Sequence, residues 1–215
     1  MGKGRIHILV LGLLGLHFLL FSLTACSGVQ TGPPEGEIKP KIAVGQKIPD
    51  LKFRDAQGGP VSLSSLLEKA DKTALVFYRG YWCSYCQEQF VSLRANLSDF
   101  QDQKAQIIGV SADDPYLAAE FGRNVENQYR VETRRPPNAE GLNPAILLLS
   151  DSSREAIQKL GIEDNHSRFG LVSRPTTILL DKGGTVRWLY IGKSADDRPT
   201  PDKILQALKG SSLYY

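Results

Sequence analysis

Apolar positions along this chain fall into short extended runs separated by stretches of helical period. Leu51 and Phe53 alternate with Lys52 and Arg54, the pattern of a half-buried strand. Gln57-Gly58-Gly59-Pro60 predicts a turn, after which Val61 resumes an extended run. Ser65 and Glu68 have the spacing of a capping box for a short helix through Leu66 and Leu67. Leu75-Val76-Phe77-Tyr78 predicts a buried strand, and Ala105 to Ser111 a second. Between them Phe90, Leu93, Leu97 and Phe100 recur at three- and four-residue steps, the mark of a helix.

Further on, Pro115 opens a helix with Leu117, Phe121 and Val125 on one face. Arg130 to Pro144, with its prolines and clustered charges, predicts a surface insertion. Ala145 to Leu149 is a third apolar strand or the approach to one. Ser152 to Leu160 predicts a short helix stopped by Gly161. Ile162 to Ser173 reads as a loop. Thr176–Leu180 and Thr185–Ile191 read as a hairpin around Asp181-Lys182-Gly183-Gly184. Pro201 to Leu208 is a final helix facing inward through Ile204, Leu205 and Leu208. Strands alternating with helices and ending on a hairpin predict an α/β fold, a central mixed β-sheet flanked by α-helices.

The first residues follow another logic. Lys3 and Arg5 precede an apolar run from Ile6 to Leu23, a targeting pattern that is set aside from the fold. Leu23-Thr24-Ala25-Cys26 resembles a bacterial lipoprotein box, which implies cleavage before Cys26 and lipid on that residue. An uncleaved signal anchor is the alternative. Either reading tethers the protein to a membrane and places it outside the cytoplasm, in the bacterial cell envelope. The expected organisation is a signal peptide over 1–25, a Gly- and Pro-rich flexible tether over 26–41 and a folded domain over 42–215.

Composition then narrows the partners. Of 26 Lys and Arg, two lie in the leader, leaving 24 against 23 Asp and Glu. A nearly neutral body carries no electrostatic footprint for nucleic acid.

Candidate chemistry sits where the first buried strand meets the first long helix, at Cys83-Ser84-Tyr85-Cys86. One thiol lies at the mouth of the helix and the other in its first turn, where the helix dipole and free N–H groups favour a thiolate. Arg79 adds positive charge nearby. With Cys26 assigned to lipid and His7 and His17 in the leader, Cys83, Cys86 and His166 are the remaining soft ligands. They are too few for a structural zinc site, which takes four. A purely structural disulfide across two residues closes a tiny loop and stabilises little. A redox-active pair fits best, with no cofactor and no metal.

Val44 to Asp50, Phe77-Tyr78-Arg79-Gly80-Tyr81-Trp82-Cys83, Gly109 to Asp113 and Asp197-Arg198-Pro199, over about residues 42–209, resemble the alkyl hydroperoxide reductase/thiol-specific antioxidant family, a peroxiredoxin-like branch. The resemblance implies a thioredoxin-like fold. It also implies that Pro175 is a cis-proline just before a strand, its backbone edge free to dock an extended substrate, with an ordinary trans-proline as the alternative.

Roles for the cysteines follow from the same resemblance. As a thioredoxin-type pair, Cys83 attacks and Cys86 resolves, giving a membrane-anchored thiol–disulfide oxidoreductase. As a peroxiredoxin-type site, the attacking sulfur follows Thr-x-x and falls on Cys86, with Cys83 in the Thr position. Such sites use an Arg near the strand that begins at Thr176. Arg174 is a candidate, but Pro175 occupies the aligned slot, which favours the oxidoreductase and keeps the peroxidase as the alternative. Trp82, with Tyr81 and Tyr85, forms a substrate platform or shields the disulfide. A copper carrier using both cysteines and His166 is a further alternative. The expected partners are a protein disulfide or dithiol, or a peroxide, together with an electron-donating thiol protein.

Overall fold

The computed structural model describes residues 39–134, 145–165 and 168–210. The leader, Cys26, most of the tether, much of the expected insertion and His166 lie outside these residues.

β1 (Lys52–Arg54) and β2 (Pro60–Ser62) pair as an antiparallel hairpin with Phe53 opposite Val61. α1 (Leu63–Leu67) begins earlier than the Ser65–Glu68 spacing predicts. Ser62 is the cap, accepting the Ser65 N–H, and the Ser65 hydroxyl donates back to the Ser62 carbonyl from inside the helix. β3 (Lys72–Phe77) leads into α2 (Ser84–Ala95) and α3 (Leu97–Asp102), which replace the single helix expected through Phe100. The break falls at Asn96, whose amide side chain donates to the Ser92 carbonyl at 2.8 Å.

β4 (Ala105–Ser111) precedes α4 (Pro115–Thr133), capped by Asp114. The helix continues to Thr133, into the start of the segment expected as an insertion, because Tyr129 extends its buried stripe beyond Val125. β5 (Leu147–Ser150) leads to α5 (Glu155–Leu160). This helix starts late because the Asp151 carboxylate, set before the turn, accepts the N–H groups of Ala156 and Ile157. The stretch expected as a loop contains a small ladder, β6 (Glu163–Asp164) against β7 (Val172–Ser173). β8 (Thr176–Asp181), β9 (Val186–Ile191) and α6 (Pro201–Leu208) complete the chain.

The main sheet has the order β2-β1-β5-β4-β3-β8-β9. β3, β4 and β5 are parallel and the remaining pairs antiparallel, so the sheet is mixed. It is covered on both faces, which is why its central strands read as continuous apolar runs. Leu75, Phe77, Ile108 and Val110 pack with Leu66 of α1 and Ile157 of α5. Val76 and Tyr78 pack with Phe90, Phe121 and Ile204 of α2, α4 and α6.

Phe90 meets Tyr78 edge-on at 5.1 Å and Phe121 at 5.3 Å between ring centroids. Burial of such a ring contributes about 1.5–3 kcal/mol. Here it fixes the helix that carries the cysteines against the strand before them.

Candidate active site

β3 stops at Phe77, and the chain turns through 78–83 into α2. The turn is tied down at several points. Tyr78 N–H donates to the Val110 carbonyl, and the Tyr78 carbonyl accepts the Ser173 hydroxyl at 2.9 Å. The Tyr81 N–H donates to the Asp113 carboxylate at 2.8 Å, and Cys83 N–H closes back on the Gly80 carbonyl. Gly80 leaves room for the Trp82 indole, since a Cβ there would meet its Nε1 at 2.6 Å. Burial pushes the Asp113 carboxyl above its ordinary value, while its bonds to Ser111 and Tyr81 act the other way.

Cys83 is the N-cap of α2, its sulfur accepting the Cys86 N–H at 3.2 Å, and Cys86 sits in the first turn. The two sulfurs are joined as a disulfide with Cα atoms 5.2 Å apart. Cys86 is fully buried, whereas Cys83 retains 4 % exposure. Cys83 also lines an open groove of about 330 Å³ with Tyr81, Trp82, Ser84, Gln87, Glu88 and Gln128.

Trp82 stacks on Phe169 at 4.0 Å and carries the Arg79 guanidinium 5.1 Å from its ring centre. Arg79 also pairs with Asp164 at 3.4 Å. The charge that touches the sulfurs belongs to a different residue. Arg198 Nη2 lies 3.3 Å from Cys86 Sγ and 3.5 Å from Cys83 Sγ, while Nη1 donates to Gln89 Oε1 at 2.9 Å. Burial, and then the nearby positive charge of Arg79, lower the Arg198 guanidinium to about 10, so it stays charged at neutral pH.

Arg198 was not among the candidates read from the sequence. Its signal was the Asp197-Arg198-Pro199 motif, just ahead of a helix whose Pro201 start is plain.

Arg174 and Pro175 are both buried, at the end of β7 and the start of β8. β8 pairs with β3 through Thr176 opposite Phe77, so Pro175 lies at the end of the sheet from which the cysteine turn departs. The edge expected to be open is bonded within the chain. Arg174 N–H donates to the Ile162 carbonyl at 2.8 Å, and the Pro175 carbonyl accepts the Gly192 N–H at 2.7 Å. Arg174 is thus tied to the segment before β6 and Pro175 to the residue after β9, and the guanidinium that reaches the sulfurs is that of Arg198.

Comparison with known proteins follows the same lines. A family model described as AhpC/TSA family matches residues 44–189. The chain is 24 % identical to the chloroplastic peroxiredoxin Q of Sedum lineare over 196 residues, covering 90 % of this chain and 94 % of that one. The Arabidopsis thaliana peroxiredoxin Q is 26 % identical over 185 residues, covering 86 % and 76 %.

Among solved structures, the peroxidoxin BcpB of Mycobacterium tuberculosis superposes with a TM-score of 0.60 at 22 % identity, over 79 % of this chain and 97 % of that one. Reduced Prx3 of Vibrio vulnificus in complex with hydrogen peroxide gives 0.63 at 22 %, over 78 % and 99 %. These neighbours share the thioredoxin-like arrangement of a mixed sheet flanked by helices.

Proposed function

The chain belongs to the AhpC/TSA family, and from that premise we propose that it is a thiol-dependent peroxidase in which Cys86 attacks peroxide and Cys83 closes the disulfide. The observation that carries this reading is the setting of Cys86. It lies in the first turn of α2, disulfide-bonded to the N-cap Cys83, and the family resemblance puts these two residues at the Cys and Thr positions of a Thr-x-x-Cys site. The relatives named peroxiredoxin Q and the neighbour holding hydrogen peroxide support peroxide as the substrate class.

In this reaction the Cys86 thiolate attacks one peroxide oxygen and the O–O bond breaks. The products are a sulfenic acid and hydroxide, or an alkoxide when the substrate is an organic hydroperoxide, and the expelled anion takes a proton from solvent. The Cys83 thiol then attacks the sulfenic sulfur and water leaves as the disulfide forms. An external dithiol protein returns two electrons and two protons by thiol–disulfide exchange.

A second reading, disulfide exchange begun by Cys83, draws on the groove that Cys83 lines and on the full burial of Cys86. Against it stands the bonded edge at Arg174 and Pro175, which leaves no free N–H there for an extended protein substrate. Stopped-flow oxidation of Cys83→Ser by hydrogen peroxide separates the two. Rapid, stoichiometric sulfenic acid at Cys86 is expected; reaction no faster than an ordinary thiol would hand the protein to the second reading.

The leader and the Leu23–Cys26 box support a lipid anchor and an extracytoplasmic setting as part of the same proposal. Among the described residues no helix is long and apolar enough to cross a membrane.

A further inference from the structure

We infer that Arg198, carried by the loop between β9 and α6, is the catalytic cation of this site: it holds Cys86 as a thiolate and faces the charge that moves when peroxide is cleaved. The inference rests on the peroxidase reading for its substrate and on geometry for the residue.

The guanidinium touches the reacting atom, with Nη2 at 3.3 Å from Cys86 Sγ. Its plane is held at two other points, Nη1 on Gln89 Oε1 and Nη2 on the Ala195 carbonyl at 2.7 Å. Gln89 is buried and lies three residues after Cys86 on α2, so the helix that presents the sulfur also presents the clamp for its cation. The Nε of Arg198 is buried and makes no hydrogen bond among the described residues.

The loop is built to deliver this side chain. Gly192 N–H is tied to the Pro175 carbonyl, and the Asp197 carboxylate accepts the Lys193 N–H at 2.8 Å and the Tyr190 hydroxyl. Beyond Pro199, Thr200 caps α6. Other cations do not fill the role. The slot at the start of β8 holds Pro175, and Arg79 is engaged with Asp164 and Trp82. The charged groups felt by Arg198 are Arg79 from the turn after β3, Glu88 from α2 and Asp196 from its own loop.

An opposite charge at this distance favours the ionised thiol. With the disulfide reduced, Cys86 is then nucleophilic at neutral pH. As its sulfur bonds to one peroxide oxygen, the leaving oxygen departs with the O–O electron pair and takes a proton from solvent to give water. Arg198 donates hydrogen bonds throughout and is neither oxidised nor deprotonated.

The test uses the full-length protein carrying Cys83→Ser, with hydrogen peroxide as the probe and Arg198→Met and Arg198→Lys as variants. Arg198→Met should lower the bimolecular rate constant at neutral pH about a hundredfold. It should also move the thiolate titration of Cys86, followed by ultraviolet absorbance, upward by about 1–3 pH units. Arg198→Lys, which keeps the charge, should restore part of both. Unchanged rate and titration in Arg198→Met overturn the inference. If that variant does not fold, the titration of Cys86 with Arg198 intact decides, and a midpoint at or above the free-cysteine value of about 8.5 overturns it. A depressed midpoint with a slow peroxide reaction would leave Arg198 its hold on the thiolate and sink the peroxidase reading instead.

Discussion

The backbone carbonyl of Asp197 occupies the space where a side chain at Gly192 would begin. A Cβ on Gly192 would fall on that oxygen and press on the Pro175 carbonyl at 3.2 Å. This close approach folds the loop after β9 back over the sheet end, and the next residue after Asp197 is the arginine at the sulfurs. A glycine far from the cysteines in sequence therefore sets how their cation arrives.

Gly192→Ala should accordingly act at a distance. The loop must shift to admit the methyl group, at a cost of about 1–3 kcal/mol in stability. Its peroxide reaction should slow in the direction of Arg198→Met. Denaturant melts and stopped-flow kinetics on the same preparation check this. Wild-type stability together with wild-type kinetics would show that the loop adapts without moving Arg198.

The joint between β3 and α2 was legible in the sequence because everything that makes it is local. An apolar run ends, two cysteines cap a helix, and the helical period begins at once. Arg198 was not legible, since it lies 112 residues from Cys86 and is delivered by a loop whose path depends on Gly192 and Asp197. Pattern reading also placed the starts of α1 and α5 wrongly. Both errors concern which of several Ser and Asp side chains accepts the first N–H groups of the helix, Ser62 as the cap of α1 and Asp151 from ahead of α5, and neighbouring candidates look alike until the chain is folded. The break at Asn96 was hidden because Leu97 and Phe100 keep the helical spacing across it.

The cysteines should differ in how far oxidation proceeds. If Cys83 captures the sulfenic acid, oxidation of the wild type should stop at the disulfide. In Cys83→Ser no thiol stands ready, so excess peroxide should carry Cys86 on to sulfinic acid. Intact mass should show the wild type two hydrogens lighter and Cys83→Ser two oxygens heavier. Cys86→Ser should show neither change. Sulfinic acid on Cys83 in the last variant would reverse the two roles.

The N-terminus offers a prediction independent of the redox chemistry. If Leu23–Cys26 directs lipoprotein processing, the mature chain begins at a lipidated Cys26 and partitions with membranes. More than one acyl chain at that residue gives stable anchoring, where a single chain is marginal. Mass spectrometry of the N-terminal peptide from cells should find the acylated Cys26. An intact Met1, or an unmodified chain starting downstream, would rule out the anchor.

Asp113 links the stability of the turn to pH. Its carboxylate accepts the Tyr81 N–H and the Ser111 hydroxyl, and its own carbonyl accepts the Ser150 hydroxyl at 2.6 Å. Burial raises its pKa above 3.8, outweighing those bonds. The folded protein therefore binds the Asp113 proton more tightly than the unfolded chain does. Below 3.8 both states are protonated and the group is neutral in its effect. As pH rises from there through the raised folded value, the ionised carboxylate costs stability, and the cost persists to neutral pH. Asp113→Asn keeps an oxygen for the Tyr81 N–H but cannot ionise. The stability of the wild type relative to this variant should fall across that window and then level off, a trend urea melts over a pH series will show. A rise across the same window would mean that the bonds to Tyr81 and Ser111 outweigh burial, and that the turn is held by the charge rather than in spite of it.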